Sequence, residues 1–385
     1  MYSPFSHINS VFWKRRPVQL TFFITKRCNA KCPFCFYINR NNPPTSPFSV
    51  IPPHPPLLKG GWGWGDYIES EGRHQEELTL DEIEKISSSF GNLLWLAFSG
   101  GEIFLRGDIV EISRIFYKNN RPAIILYPTN GLLPDVTYEK MEAILKGCKN
   151  STVVVKLSLD GLDGLHDELR GVEGSFEKFM QSYHLLSGLL DKYPNFDLGV
   201  NTVFYSENQD RMGEIVEFVN TMEGINTHTV SFVRGEINGG YKDVDIEKYR
   251  NVIEVMENNL RDKIAKTYRF KGAKLKAAQD ILQRKFIYQT MQEKRRLIPC
   301  YAGRLNLVLT ETGDVYPCES FDKRMGNIRD YNYDVKELLQ SEGAGRVTRS
   351  IQKNGCYCTH ECYIMTNILF NPRIYPRLAK EYLQL

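Results

Sequence analysis

Six short apolar runs, Val18–Thr25, Leu93–Phe98, Pro122–Tyr127, Thr152–Leu159, Phe196–Phe204 and Thr227–Val233, recur through residues 17–235, and helical patterns fall between them. The runs are rich in Val, Ile, Leu and Phe and alternate little, the pattern of parallel strands covered on both faces. Parallel neighbours cannot be joined by a tight hairpin; each needs a crossover, usually a helix. One helix is expected to start at Thr79, where Thr-Leu-Asp-Glu through Glu82 forms a capping box. Further helical patterns cover residues 108–118, 137–146, 175–190 and 208–222. Six strand–helix units predict an α/β fold, a partial (β/α)6 TIM-like barrel over residues 17–240.

Composition limits what this barrel can serve. The chain of 385 residues is 42% hydrophobic and 25% charged, an ordinary globular balance. A net charge of +3 supplies no nucleic-acid footprint, and Lys14-Arg15-Arg16 reads as part of a solvated N-terminal arm, residues 1–16. No apolar run approaches the roughly 20 residues that span a bilayer. The N-terminus lacks the order of a secretory signal. The expected location is the cytoplasm, with neither nucleic acid nor membrane as partner. Eight of the nine cysteines fall in two groups, within 28–35 and 300–362, which in a reducing compartment points to metal ligation. Cys148 stands apart and reads as a packing thiol.

The first group, Cys28, Cys32 and Cys35 in RCNAKCPFCFY, follows the first strand. Three thiolates can hold three irons of a [4Fe–4S] cube and leave the fourth iron open for chemistry. A zinc site or unrelated thiols would show the same three residues. What separates these readings is position. Ser99-Gly100-Gly101-Glu102 follows the second strand and Thr129-Asn130-Gly131 the third. Ser158 and Asp160 end the fourth, Asn201 and Thr202 lie in the fifth, and Arg234 ends the sixth. Active sites of α/β barrels are built at this rim.

In this order RCNAKCPFCFY, SGGE, TNG, SLDG and VRGE resemble the core of the radical S-adenosylmethionine (radical SAM) enzymes. The resemblance implies a cluster that cleaves S-adenosylmethionine reductively to a 5′-deoxyadenosyl radical, which abstracts a substrate hydrogen. It implies Phe34, Gly101 and Ser158 near the adenosyl and methionyl parts. Gly100 and Gly101 allow close backbone approach. Glu102 would accept from the ammonium, Arg234 would pair with the carboxylate, and Ser158, Asp160 and Asn201 would bond ribose or methionyl groups, with Asn130 on the same rim. His166, Asp167 and Arg170 read as structural, fixing the loop after the fourth strand.

The second group opens with Cys300 and Cys318 around a hairpin signal at Glu311-Thr312-Gly313-Asp314 and closes with Cys356, Cys358 and Cys362 in GCYCTHEC. Residues 297–385 resemble the SPASM/twitch-type auxiliary iron–sulfur domain, with no cysteine after Cys362. Five thiolates cannot ligate two cubes, which need about eight. One auxiliary [4Fe–4S] cluster is expected, held by Cys300, Cys318, Cys362 and either Cys356 or Cys358. A zinc ribbon is the alternative, and His360 reads as a bystander. Residues 241–296 read as a helical connector, and residues 41–76, dense in Pro and Gly, as an inserted loop in which Trp62 and Trp64 offer a lid or docking tip. The expected activity is modification of a ribosomally made peptide or protein side chain, with a separate leader-peptide-binding protein and a reductant such as flavodoxin or ferredoxin. A small-molecule cofactor-biosynthesis enzyme is the second reading, and a non-catalytic zinc-binding interaction protein the third.

Overall fold

The structure, a computed structural model, describes residues 7–14, 16–38, 76–235, 237, 240–353 and 356–385. The 41–76 insertion, with Trp62 and Trp64, lies outside them except for Glu76. All six expected strands form: β1 (Gln19–Thr25), β2 (Trp95–Gly100), β3 (Ile124–Thr129), β4 (Thr152–Ser158), β5 (Phe196–Phe204) and β6 (Ile225–Phe232). They pair in parallel in that order, with helices in the crossovers. Those helices are α1 (Leu80–Ser89), α2 (Ile109–Asn120), α3 (Pro134–Gly147), α4 (Asp163–Arg170), α5 (Ser175–Ser187) and α6 (Met212–Thr221). The capping box at Thr79 is present: its side chain accepts from the Glu82 amide, and Glu82 accepts from the Thr79 amide at 2.8 Å. Cys148 is fully buried in the main apolar core, as a packing thiol would be.

The connector is two helices, α7 (Ile246–Arg261) and α8 (Ala273–Glu293). Beyond them the cysteine-rich segment does something its composition did not announce. Its first strand, β7 (Asn306–Leu309), pairs in parallel with β1, and β8 (Asp314–Tyr316) and β9 (Gly326–Asn327) continue antiparallel from it. One sheet of nine strands, ordered β6-β5-β4-β3-β2-β1-β7-β8-β9, therefore runs through both parts. Gly313, at φ +90°, makes the turn between β7 and β8.

Four helices follow: α9 (Val335–Gln340), α10 (Glu342–Lys353), α11 (Glu361–Leu369) and α12 (Tyr375–Gln384). Tyr268 and Phe270, just before α8, and Met365 and Leu369 of α11 pack on the inward side chains Trp95, Ala97, Ile124, Leu126 and Val154. They floor the half-barrel. Lys285 of α8 bonds Glu257 of α7 at 3.0 Å and Glu381 of α12 at 2.9 Å, tying these three helices to each other.

Candidate active site

The cysteine loop leaves β1 and crosses the end of β2 at backbone distance. The Gly101 amide donates to the Thr25 carbonyl and the Glu102 amide to the Arg27 carbonyl, both at 2.8 Å. A Cβ on Gly101 would lie 2.1 Å from the Arg27 oxygen, and one on Gly100 2.3 Å from the Thr25 oxygen. This corrects the sequence reading. The two glycines first admit the cysteine loop itself, and they line the cavity beside it.

Each thiol then receives a donor. The Ala30 amide reaches Cys28 Sγ at 3.4 Å, the Ile38 amide reaches Cys35 Sγ at 3.5 Å, and Asn130 Nδ2 lies 3.8 Å from Cys28 Sγ. Arg170 Nη1 reaches Cys32 Sγ at 3.7 Å. Burial pushes the Cys32 thiol up to about 11 against the pull of Arg170, so a thiolate here calls for a further cationic partner.

Glu102, only 1% exposed, accepts from the Phe104 amide, the Thr129 hydroxyl and the Asn130 amide at 2.8–3.1 Å. Burial raises its pKa while those three donors hold it down. Phe34 stacks on Tyr205 with ring centroids 4.4 Å apart. Asn201 accepts from the Ser231 hydroxyl at 2.9 Å. A cavity of about 350 Å³ collects the three cysteines, Phe34, Gly100, Gly101, Glu102, Asn130, Ser158, Asn201 and Arg234.

Three assignments change. Asp160 is fully buried behind the cavity wall, pairing with Arg170 at 2.6 Å and accepting from the Val203 amide at 2.8 Å, so it has no face left for a ribose. Arg170 takes the cavity-facing role instead: buried itself, it lines the cavity, and its guanidinium lies 6.0 Å from the Phe34 ring centre. Asp167 is structural, accepting from Gly174, Ser175 and Phe176, and His166 Nδ1 accepts from the Asp160 amide. Arg234 is not free for a carboxylate. It pairs with Glu319 at 3.0 Å and Glu361 at 3.1 Å, both from the cysteine-rich segment.

Lys156, also unforeseen, lines the same cavity; burial pushes its amine down to about 7, and its Nζ donates to the Thr227 carbonyl at 3.2 Å. Its signal was a lysine inside the otherwise apolar strand TVVVKLS.

The second cysteine group divides. Cys300, Cys318, Cys356 and Cys358 line a separate cavity of about 130 Å³, together with His360 and Tyr363. The buried Nδ1 of His360 and hydroxyl of Tyr363 have no hydrogen-bond partner among the described residues. Four thiols and two unspent polar atoms suit a cluster with its sulfides. Cys362 lines the barrel cavity instead, which corrects its expected place as a ligand beside only one of Cys356 and Cys358. The cause is local. Residues 356–360 run outside any helix, while Cys362 sits in the first turn of α11, facing the barrel. Among the described residues, no three His, Cys, Asp or Glu side chains converge on a single ion. In a cube each thiolate holds its own iron.

The profile of the radical SAM superfamily matches residues 22–219, just over half of the chain. The chain belongs to the radical SAM superfamily. An iron–sulfur cluster-binding domain, SPASM, matches residues 300–363. Among curated proteins, the chain is 25% identical over 370 residues to the antilisterial bacteriocin subtilosin biosynthesis protein AlbA of Bacillus subtilis, covering 90% of this chain and 67% of that protein. It is 23% identical over 298 residues to the AdoMet-dependent heme synthase of Oleidesulfovibrio alaskensis, covering 74% of this chain and 72% of that protein. Among solved structures, Streptococcus suis SuiB bound to its precursor peptide SuiA superposes with a TM-score of 0.56 at 16% identity, covering 90% of this chain and 70% of SuiB. That likeness shows the shared fold, including the C-terminal extension of the barrel. No described helix is long and apolar enough to cross a membrane.

Proposed function

We propose that this radical SAM enzyme abstracts hydrogen from a side chain of a ribosomally made peptide. The observation that carries this reading is the cavity of about 350 Å³, walled on one side by Cys28, Cys32 and Cys35 and on the other by Glu319, Glu361 and Cys362 of the cysteine-rich segment. A chain entering it meets both parts of the protein at once. AlbA, named for subtilosin biosynthesis, and SuiB, bound to a precursor peptide, support the choice of substrate class. Cys28, Cys32 and Cys35 would hold the cluster that, with S-adenosylmethionine bound, supplies the 5′-deoxyadenosyl radical. Cys300, Cys318, Cys356 and Cys358 would hold one auxiliary cluster.

The chain's own residues orient and isolate this chemistry. A carboxylate offers about four acceptor sites. Glu102 spends three on the Phe104 and Asn130 amides and the Thr129 hydroxyl, and the fourth could take the ammonium of S-adenosylmethionine. Phe34, packed on Tyr205, would give the adenosyl part an aromatic wall, and Ser158, Asn201 and Asn130 line the same cavity. Trp95, Tyr268 and Met365 close the floor against water. Lys156, with its amine near 7, can take a proton from the substrate in neutral solution. A leader-peptide-binding protein, a flavodoxin or ferredoxin reductant and a cytoplasmic location complete this reading.

The test is anaerobic incubation of the reconstituted enzyme, S-adenosylmethionine and dithionite with candidate precursor peptides drawn from short reading frames flanking the gene. A peptide lighter by two hydrogens, or with an altered residue, is expected. An unchanged peptide alongside 5′-deoxyadenosine would sink the proposal. The similarity to the heme synthase favours a second reading, modification of a tetrapyrrole, which the same assay with a haem precursor decides.

A further inference from the structure

Beside the barrel cavity lies a smaller one, of about 60 Å³, between β6, α7 and α8. Thr229, Tyr268, Asp280 and Gln283 line both, so these four side chains form a common wall. Two polar atoms of residues lining the smaller cavity have no hydrogen-bond partner among the described residues. One is Nη1 of Arg284, a side chain only 9% exposed, and the other is the buried Nδ1 of His228. The Thr202 hydroxyl spends its proton on the Leu159 carbonyl at 2.6 Å, so toward His228 Nε2, at 2.8 Å, it accepts. Nε2 therefore carries the imidazole proton, and Nδ1 is left with a bare lone pair. Burial, with Lys156 and Arg284 nearby, pushes the imidazole down to about 3, which keeps it neutral. Arg284 brings a donor and a full charge. The nearby carboxylates are engaged elsewhere: Asp280 pairs with Lys276, and Asp197 accepts from the Asn226 side chain at 2.7 Å and the Arg269 amide at 3.1 Å. Lys266 lines the same cavity and adds positive charge at its rim. A buried guanidinium without a counter-charge is costly, and an anion beside it removes that cost. One water needs about 15 Å³ of such a cavity; about 60 Å³ admits a whole carboxyl group.

We propose that this cavity anchors the carboxylate of an acidic side chain of the substrate peptide, one oxygen on Arg284 Nη1 and the other sharing a proton with His228 Nδ1. That proton comes from water, and no covalent bond of the peptide changes. The peptide backbone lies in the barrel cavity, and the acidic arm passes the common wall at Thr229, Tyr268, Asp280 and Gln283. Anchored so, one residue of the peptide is held in register with the Cys28, Cys32 and Cys35 loop. The inference deepens the peptide reading and rests on it for the source of the carboxylate.

The test is calorimetric melting of the holoenzyme saturated with S-adenosylmethionine and without reductant, so that the cluster site is filled and no radical forms. N-acetylglutamate amide should raise the melting temperature by a few degrees at saturation, while the isosteric N-acetylglutamine amide should leave it unchanged. Arg284→Met should abolish the rise, and its own melt without ligand should lie at or above that of wild type, since no buried cation is left unpaired. Equal shifts with the two amides, no shift with any carboxylate (water alone filling the cavity), or a rise that persists in Arg284→Met overturns the proposal. Coproporphyrin III carries the same carboxyl arm as its propionates. A rise with it and none with the glutamate derivative overturns the peptide as source. These melts involve no turnover, so their failure leaves the hydrogen-abstraction assay standing, and an unmodified peptide in that assay leaves the melts standing.

Discussion

In the ligation proposed here, the two cysteine groups work in opposite ways. Cys28, Cys32 and Cys35 sit within one short loop, pinned by main-chain bonds to the end of β2 and supplied with donors from Ala30, Ile38, Asn130 and Arg170. Cys300, Cys318, Cys356 and Cys358 come from a hairpin and a distant non-helical stretch before α11, and meet only because those segments fold together. One aromatic cluster joins them: Phe23, Tyr37, Tyr316 and Phe321 pack against Cys35 on one side and Cys300 and Cys318 on the other. A local loop would leave one iron open; an assembled ring of four would close its cluster. Openness follows from how few thiols a short loop presents, and closure from long-range folding.

Substitutions can break this contrast. Cys28→Ala should abolish 5′-deoxyadenosine formation, since two thiolates do not hold the open cube; residual cleavage of S-adenosylmethionine with dithionite would refute the assignment. Cys358→Ala should cost only the assembled group, lowering iron by about half by chemical analysis, one cube of two. An unaltered iron content would mean that Cys358 is no ligand.

Arg170→Met leaves Asp160 buried without its partner and Cys32 without its donor. Breaking a buried pair costs about 3 kcal/mol, which denaturant unfolding of the two proteins would register. A loss near zero would show the pair to be idle.

Glu82→Gln is the mildest. Burial opposes the Glu82 charge, yet hydrogen bonds from Arg329 and the Thr79 amide hold its carboxyl at about 2, below the ordinary 4.5. A depressed carboxylate stabilises the fold above the unfolded value, and that contribution is lost as pH falls from about 4.5 through about 2. The variant should lose about 1 kcal/mol at neutral pH, the scale of a helix cap, and the gap should shrink in thermal melts at pH 3. A gap independent of pH would mean that its charge is not what matters.

Much of this was legible in the chain because it is locally written. The apolar runs, the Thr79 box and the spacing of Cys28, Cys32 and Cys35 need no knowledge of distant neighbours. The exchange of roles between Asp160 and Arg170 could not be read, since Arg170 meets Cys32 across 138 positions and carries no periodic signal. The same holds for Arg234, whose anionic partners lie 85 and 127 residues away. Gly100 and Gly101 were marked correctly as a close approach, but sequence could not say what approaches. Cys362 was misplaced because spacing treats a helix turn and an irregular stretch alike.

The pairing of β7 with β1 reaches beyond the chemistry. A protein cut before residue 297 would leave the flank of β1 as a bare strand edge, rich in phenylalanine, ready to recruit another copy. The cysteine-rich segment is therefore no detachable accessory. Shortened versions should precipitate rather than report a simpler reaction, and the two parts would have to be inherited, expressed and refolded as one.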